Sequence, residues 1–251
     1  MNETLQVGTN VIKRLTVRFS GDPEARRQIR TETEILRTLM GRGCPRLVDA
    51  GEDAHGPWIR MEHIASPTLL AHMRAPKTAS WWVHATRACF ETLARVHEAA
   101  DDSGDLAIVH GDVSPANIAV AEDASIATLL DFGLASGRAW PLAMTGEFRG
   151  SVLYAAPEVA RAESIDVRAD LFALAASLLH AASDEPPRRQ SSPAAALTAA
   201  AEEPLDTWAA RTGNALPDQL ANTLARCLAF DREKRPSSAR EALLHMVGPA
   251  R

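Results

Sequence analysis

The sequence predicts an α+β fold built as two lobes: a small, strand-rich N-terminal lobe (residues 1–64) and a larger, mainly helical C-terminal lobe (residues 65–251). Up to about residue 64, apolar side chains mostly alternate with the period of two that is typical of strands, around one helix. From Trp81 onward they recur with the 3.6-residue period of helices. The segment Ala65, Ser66 and Pro67 interrupts both patterns, and we interpret it as the hinge between the lobes.

The N-terminal lobe is predicted to hold strands around one helix. Residues 10–19 alternate as a strand does, with Lys13 on the apolar face. Asp22, Pro23 and Glu24 predict a helix start, with an N-cap acceptor, a proline at the first helical position and an acid in the first turn. Gly41 predicts that this helix ends near Met40. Further strands are expected at residues 5–7, 47–50 and 58–64.

The C-terminal lobe is predicted from four helical patterns, at residues 81–100, 165–182, 216–230 and 237–247. Within the second, residues 171–182 are almost entirely apolar, which indicates a buried helix. This run is too short for a bilayer crossing, which needs about 20 residues. The polar stretch 183–193 predicts a surface loop.

Composition and charge are those of an ordinary globular chain. Of the 251 residues, 46% are hydrophobic and 24% charged, and the net charge of −5 gives no support for nucleic-acid binding. Cys44, Cys89 and Cys227 have no metal-binding or redox spacing, which indicates a reducing compartment. No secretory signal is visible at the N-terminus. We therefore expect a cytoplasmic protein with neither nucleic acid nor membrane as a partner.

Lys13 and Glu32 are charged residues on faces that are otherwise apolar. Glu32 lies in the apolar stripe of the predicted helix, three residues after Ile29, whereas Glu34 falls on the solvent side. An inward lysine needs an anionic partner to offset its desolvation. Periodicity thus predicts a buried Lys13–Glu32 pair. The alternative is an edge strand from which the Lys13 ammonium reaches solvent.

Two short motifs, in fixed order, carry the main functional signal: His-Gly-Asp-Val-Ser-Pro-Ala-Asn at residues 110–117 and Asp-Phe-Gly at residues 131–133. They supply two carboxylates and an amide, from Asp112, Asp131 and Asn117. Phosphoryl transfer requires such a set, with one carboxylate to orient a hydroxyl and two oxygen ligands for magnesium. The motifs resemble the catalytic core of eukaryotic-type protein kinases. The residues Val-Ser-Pro-Ala-Asn at 113–117 resemble in particular one bacterial branch of the Ser/Thr kinases.

Three further stretches resemble the same family. Residues 150–158 (Gly-Ser-Val-Leu-Tyr-Ala-Ala-Pro-Glu) resemble the end of an activation segment, with Ser151 facing the substrate. Asp170 resembles the aspartate that braces the catalytic loop. Arg235 is placed like the arginine that pairs with the anchor glutamate, here Glu158. The resemblance covers roughly residues 11–247.

The resemblance implies ATP- and magnesium-dependent transfer of the γ-phosphate to Ser or Thr hydroxyls of a protein substrate. It implies that Asp112 is the catalytic residue and that Asn117 and Asp131 are the metal ligands. The residues that it implies for nucleotide binding are Lys13 and Glu32 at the phosphates and, at the adenine hinge, Met61 as gatekeeper with Glu62 and Ile64.

Three features depart from the family pattern. Only twelve residues precede Lys13, too few for a strand, a glycine-rich loop and a second strand, so we expect a regulatory protein partner that completes the N-terminal lobe. Gly111 stands where many kinases carry the arginine that receives an activation-loop phosphate. We therefore expect activity that does not depend on phosphorylation of Thr145 or Ser136. Ser114 stands where many Ser/Thr kinases have lysine.

Two alternatives stay open. The missing glycine-rich loop favours a pseudokinase, a scaffold module that binds nucleotide or a partner without transfer. A His-Gly-Asp opening also resembles aminoglycoside and choline kinases, which would make the protein a small-molecule phosphotransferase. The Ala-Pro-Glu at residues 156–158, together with Arg235, favours a protein kinase over the second alternative.

Overall fold

The computed structural model describes residues 2–141, 150–190 and 192–246. Its N-terminal part is a four-stranded antiparallel sheet with one long helix, α1 (Pro23–Leu39), packed against it. The strands are β1 (Asn2–Val7), β2 (Asn10–Leu15), β3 (Leu47–Asp53) and β4 (Gly56–Glu62). Their order in the sheet is β1-β2-β4-β3, so β2 is an inner strand and β1 an edge strand.

Helix α1 begins and ends where its sequence predicts. The Asp22 carboxylate accepts hydrogen bonds from the N–H groups of Glu24 and Ala25, which satisfies two of the free donors of the first turn. At the other end Met40 adopts a left-handed conformation with φ of 51° and donates its N–H to the Leu36 carbonyl. These caps set the length of the helix that carries Glu32.

Strand β2 is shorter than predicted. The alternation of residues 10–19 continues past Leu15, but Val17–Phe19 form a 3-10 turn and Val17 is exposed. In the described residues no strand continues beside the chain past this point, because β1 begins with the pair of Asn2 and Leu15 and β4 begins at Gly56. Without strand partners, the chain turns toward the N-cap of α1.

The part after residue 64 is mainly helical, as predicted. The helices in its described residues are α2 (Leu69–His72), α3 (Ala79–His97), α4 (Pro157–Ala160), α5 (Val167–Ser183), α6 (Pro193–Glu202), α7 (Asp206–Thr212), α8 (Asp218–Cys227) and α9 (Ala239–Met246). Two short hairpins accompany them, β5 (Ala100–Asp101) with β6 (Gly104–Asp105), and β7 (Ile118–Val120) with β8 (Ala127–Leu129). The second hairpin follows residues 110–117 directly and ends just before Asp131, so it brings the two functional motifs together.

Helix α5 forms the centre of the helical part. Its leucines Leu171, Leu174, Leu178 and Leu179 are fully buried. A helix that is apolar on all sides is typical of a protein core, and this confirms the buried helix predicted at residues 171–182. None of the helices in the described part combines the length and apolar character that a membrane crossing requires.

The three cysteines are free and buried. Burial raises the pKa of each thiol, Cys44, Cys89 and Cys227, from 9.0 to about 12. They behave as small core residues rather than as reactive groups.

Arg188 departs from the surface loop predicted at residues 183–193. Only 4% of the residue is exposed. Its Nη1 donates to the Leu153 carbonyl at 2.8 Å, while Nε and Nη2 have no hydrogen-bond partner in the described part of the chain. Burial lowers its pKa from 12.5 to about 10, although Glu203 acts in the opposite direction. The loop thus holds one arginine under the segment that contains Ser151.

Candidate active site

Strand β2 and helix α1 bring Lys13 and Glu32 together as a buried ion pair. Lys13 Nζ lies 2.9 Å from Glu32 Oε1 and 2.7 Å from Oε2, and the two side chains are 6% and 1% exposed. This confirms the pair that periodicity predicts. Because β2 is an inner strand, the edge-strand alternative for Lys13 is wrong.

Lys13 also reaches the Asp-Phe-Gly motif, since its Nζ lies 2.7 Å from Asp131 Oδ1. Burial alone would lower the pKa of the Lys13 ammonium, but the Glu32 and Asp131 carboxylates outweigh that effect and raise the pKa above its ordinary value. Lys13 therefore stays charged at neutral pH. One cation thus links the sheet, α1 and the motif that follows β8.

The Asp-Phe-Gly motif leaves its carboxylate half exposed and buries its ring in the core. Asp131 has a left-handed backbone with φ of 61°, and its side chain is 52% exposed. Phe132 is buried, with its ring centroid 4.6 Å from that of His110. A Cβ on Gly133 would lie 3.0 Å from Asp131 Oδ1, so glycine suits the close turn. Burial tends to raise the pKa of Asp131, but the charge and hydrogen bond of Lys13 outweigh it, and the pKa is lowered.

Both carboxylate oxygens of Asp112 accept hydrogen bonds, one from within residues 110–117 and one from the segment that contains Ser151. Asn117 Nδ2 donates to Asp112 Oδ2 at 2.9 Å and to its backbone carbonyl at 3.0 Å. The Ser151 N–H donates to Asp112 Oδ1 at 2.8 Å. The segment that resembles a substrate-facing activation segment therefore contacts the carboxylate directly.

Asp170 holds the start of the loop at residues 110–117 by hydrogen bonds, as the resemblance implies. Its buried carboxylate accepts from the N–H groups of His110 at 2.7 Å and Gly111 at 3.0 Å, and from His97 Nε2 at 2.9 Å. Burial tends to raise the pKa of Asp170, but the His97 hydrogen bond and the other donors outweigh it, and the pKa is lowered. Sequence reasoning missed His97, because one histidine within an amphipathic helix gives no signal.

Gly111 is required by the path of the chain. Its φ is 77°, and a Cβ at this position would lie 2.7 Å from the Leu134 carbonyl oxygen. An arginine here would have to displace the backbone after the Asp-Phe-Gly motif. The glycine that departs from the family pattern is thus needed for the backbone conformation of this loop and for its close contact with Leu134.

We expect Gly111→Ala to destabilise the protein, and to slow any phosphate transfer, more than Gly8→Ala does. Both glycines have positive φ, so each variant incurs about 1–2 kcal/mol of backbone strain. A Cβ on Gly8 meets nothing within 4 Å, whereas the Gly111 Cβ meets backbone. Thermal unfolding of both variants checks this. Equal losses of stability would show that the Leu134 contact imposes no constraint.

The hinge residues lie at the end of β4. Met61 is buried there, and the Glu62 N–H donates to the Arg46 carbonyl at 3.0 Å. The Ile64 N–H has no hydrogen-bond partner among the residues that the structure describes. Among the described residues, a free backbone donor therefore lies two residues after the end of β4.

The segment of residues 150–158 is anchored by the predicted pair of Glu158 and Arg235. Arg235 Nη1 and Nη2 lie 2.6 and 2.9 Å from the two Glu158 oxygens, and the side chains are 0% and 4% exposed for Arg235 and Glu158 respectively. Of the two hydroxyl residues whose phosphorylation we expect activity not to need, Ser136 is buried, and its backbone N–H and carbonyl both bond to the backbone of Val109. Thr145 lies outside the described residues.

Asp131 and Asn117 fit the magnesium ion that the family implies. Asn117 uses its Nδ2 for the bonds to Asp112, which leaves its amide oxygen available. Asp131 binds Lys13 and Gly133 through Oδ1, and its Oδ2 has no partner in the described residues. Magnesium prefers such oxygen ligands and takes one or two carboxylates together with substrate phosphates.

Comparison with protein-family models gives the family. The model of the protein kinase domain matches residues 5–247. The chain belongs to this family. It is 29% identical over 234 residues to the serine/threonine-protein kinase AfsK of Streptomyces coelicolor, covering 91% of this chain and 27% of AfsK. It is 30% identical over 166 residues to the serine/threonine-protein kinase PknL of Mycobacterium bovis, covering 65% of this chain and 40% of PknL.

Solved structures agree with the fold. The kinase domain of Mycobacterium tuberculosis PknI is similar with a TM-score of 0.66 and 26% identity, covering 98% of this chain and 88% of that one. The resemblance to bacterial Ser/Thr kinases and the bilobal α+β fold are thereby confirmed. The chain spans between about a quarter and two fifths of the length of the curated relatives named above.

Proposed function

We propose that this kinase domain transfers the γ-phosphate of ATP, in a magnesium-dependent reaction, to Ser or Thr hydroxyls of a protein substrate. The observation that carries the proposal is the double contact of Lys13 Nζ, at 2.7 Å from both Glu32 and Asp131. A lysine held in this way can bind phosphates, while the half-exposed Asp131 keeps its second carboxylate oxygen for a metal ion. The arrangement argues against a module that has kept the fold and lost transfer.

In the proposed reaction the substrate hydroxyl oxygen forms a bond to the γ-phosphorus as the bond to the β–γ bridging oxygen breaks, and ADP leaves. Asp112 orients the hydroxyl and accepts its proton. Its carboxylate is already aimed by Asn117 and by the Ser151 N–H. Asp131 and Asn117 would hold the magnesium ion, whose charge offsets that of the phosphates when it is bound.

Adenine would be held at the hinge. The Ile64 N–H, which has no partner among the described residues, would donate to a ring nitrogen, and the Glu62 carbonyl would accept from the amino group. The buried Met61 would close the back of the adenine pocket. The hinge would then lie at the boundary after residue 64, between the two lobes of one kinase domain that spans residues 1–251.

A protein is the acceptor that the activation segment favours. The buried Glu158–Arg235 pair anchors the residues after Ser151, and the Ser151 N–H itself lies 2.8 Å from Asp112 Oδ1. A protein substrate that docks on this segment would bring its hydroxyl next to Asp112. A regulatory protein that completes the N-terminal lobe is a further part of the proposal. It is supported by β1, which is an edge strand with Leu5 and Val7 exposed.

The test is transfer of labelled γ-phosphate from ATP to a generic protein acceptor, followed by phosphoamino-acid analysis. We expect label on Ser or Thr, and a loss of about 10²–10⁴-fold in Asp112→Ala. The control is Asp123→Ala, which changes an exposed turn carboxylate that accepts hydrogen bonds from Ser125. Wild-type protein that binds ATP without transfer would support the scaffold alternative instead. Label found on small molecules but not on protein would support the phosphotransferase.

A further inference from the structure

A hydrogen bond joins helix α1 to the residues that follow the Asp-Phe-Gly motif. Trp140 Nε1 donates to Glu34 Oε2 at 2.7 Å, although the two residues are 106 positions apart. Glu34 is exposed, as its helical phase predicts, but its carboxylate is not free. It lies two residues after Glu32 on the same helix.

The turn that presents Trp140 is fixed to the helical part of the molecule. Ser136 pairs with Val109, and the Arg138 N–H donates to the Leu106 carbonyl at 2.8 Å. Arg138 Nη2 donates to Asp101 Oδ1 at 2.9 Å. The Gly137 N–H donates to the Trp140 carbonyl at 2.9 Å, which closes the turn. The indole is therefore presented from a rigid base.

A change in the position of α1 moves Glu32 and Glu34 together, because both lie on one helix of 17 residues. Glu32 contacts Lys13 on one side of the helix, and Glu34 contacts Trp140 on another. A hydrogen bond to a carboxylate is stronger than one between neutral groups. An anchor at Glu34 thus favours the orientation in which Glu32 reaches Lys13.

We propose that Trp140 is a positioning residue, whose indole N–H holds α1, through Glu34, in the orientation that keeps Glu32 on Lys13. This proposal rests on the proposed function and concerns its regulation. The anchor needs no phosphate, and it lies in a protein whose Gly111 has no side chain to receive one. Trp140 and Glu34 touch neither nucleotide nor hydroxyl in this account.

The kinetic test uses three variants of the pair. Trp140→Phe removes the donor and Glu34→Ala the acceptor, whereas Glu34→Gln keeps an oxygen acceptor. We expect KM for ATP to rise about three- to tenfold in the first two variants and to stay within about twofold in the third. The double variant Trp140→Phe/Glu34→Ala should be no worse than either single variant.

The control is Trp81→Phe. It removes another indole, which donates to the Glu122 carbonyl at 2.8 Å and not to helix α1. We expect its KM for ATP to be unchanged. An additive double variant, or a rise in KM for Trp81→Phe equal to that of Trp140→Phe, would overturn the proposal.

A second test does not need activity. In ¹⁵N spectra of the indole groups, the Trp140 signal is the one lost in Trp140→Phe. Because coupling is reciprocal, Glu32→Gln should shift this signal and speed its hydrogen exchange, while the Trp81 signal stays in place. A Trp140 signal that ignores Glu32→Gln would overturn the positioning role.

The two tests also separate this proposal from the proposed function. If the wild type transfers phosphate and the Trp140 signal does not respond to Glu32→Gln, only the positioning role fails. If the wild type transfers nothing and the signal responds, the coupling of Trp140 to Glu32 stands and the proposed function fails.

Discussion

Asp131→Ala is expected to abolish metal-dependent nucleotide binding and to lower phosphate transfer by at least about 10²–10³-fold, with the fold retained. Asp131 supplies the exposed carboxylate of the site, with one oxygen on Lys13 and the other without a partner in the described residues. The fold survives because Lys13 keeps its contact with Glu32, so no buried charge is left alone.

Asp131→Asn is the matched variant for this experiment. Asparagine tolerates the left-handed conformation at φ of 61° and keeps an oxygen for Lys13, so it removes the charge without adding backbone strain. Calorimetric titration with the nucleotide, with and without magnesium, checks binding, and thermal unfolding checks the fold. Protein phosphorylation at the wild-type rate by Asp131→Asn would sink the assignment of the metal site.

Glu158→Ala is expected to destabilise the protein by about 3–5 kcal/mol, because it leaves the buried Arg235 guanidinium without its carboxylate. The double variant Glu158→Leu/Arg235→Met removes both charges and should recover most of that loss. Urea denaturation measures the free energy of unfolding of each protein.

The control is the pair of Arg240 and Glu98, which has similar two-point geometry, with distances of 3.0 and 2.6 Å. Its side chains are 54% and 51% exposed, so Glu98→Ala should cost less than about 1 kcal/mol. If the two alanine variants lose equal stability, burial does not decide the strength of the Glu158–Arg235 pair.

Features that depend on local periodicity could be predicted from the sequence. The phase of α1 alone separates the buried Glu32 from the exposed Glu34, and Asp22 with Pro23 marks the helix start. The pairing of Lys13 with Glu32 follows, since each needs an opposite charge on its buried face.

Features that depend on distant neighbours could not be predicted. Strand β2 ends at Leu15 because its inner neighbour β4 begins at Gly56 and offers no further partner, although the alternation continues past Leu15. Arg188 lies in a polar stretch, yet it is buried over the Phe172 ring and donates to the carbonyl of the distant Leu153. The Trp140–Glu34 bond joins a residue of a turn to an exposed helical acid, and neither has a pattern that reveals the other.

The location of the three cysteines has a practical consequence for measuring how the lobes move. Burial raises the pKa of each native thiol to about 12 and shields all three from solvent, so they react slowly with thiol reagents near neutral pH. Maleimide dyes will therefore react with cysteines introduced at exposed turns, such as Ala54→Cys beside β4 and Ser103→Cys between β5 and β6. Fluorescence transfer between two such dyes measures the distance between the two lobes in a protein that keeps its own cysteines.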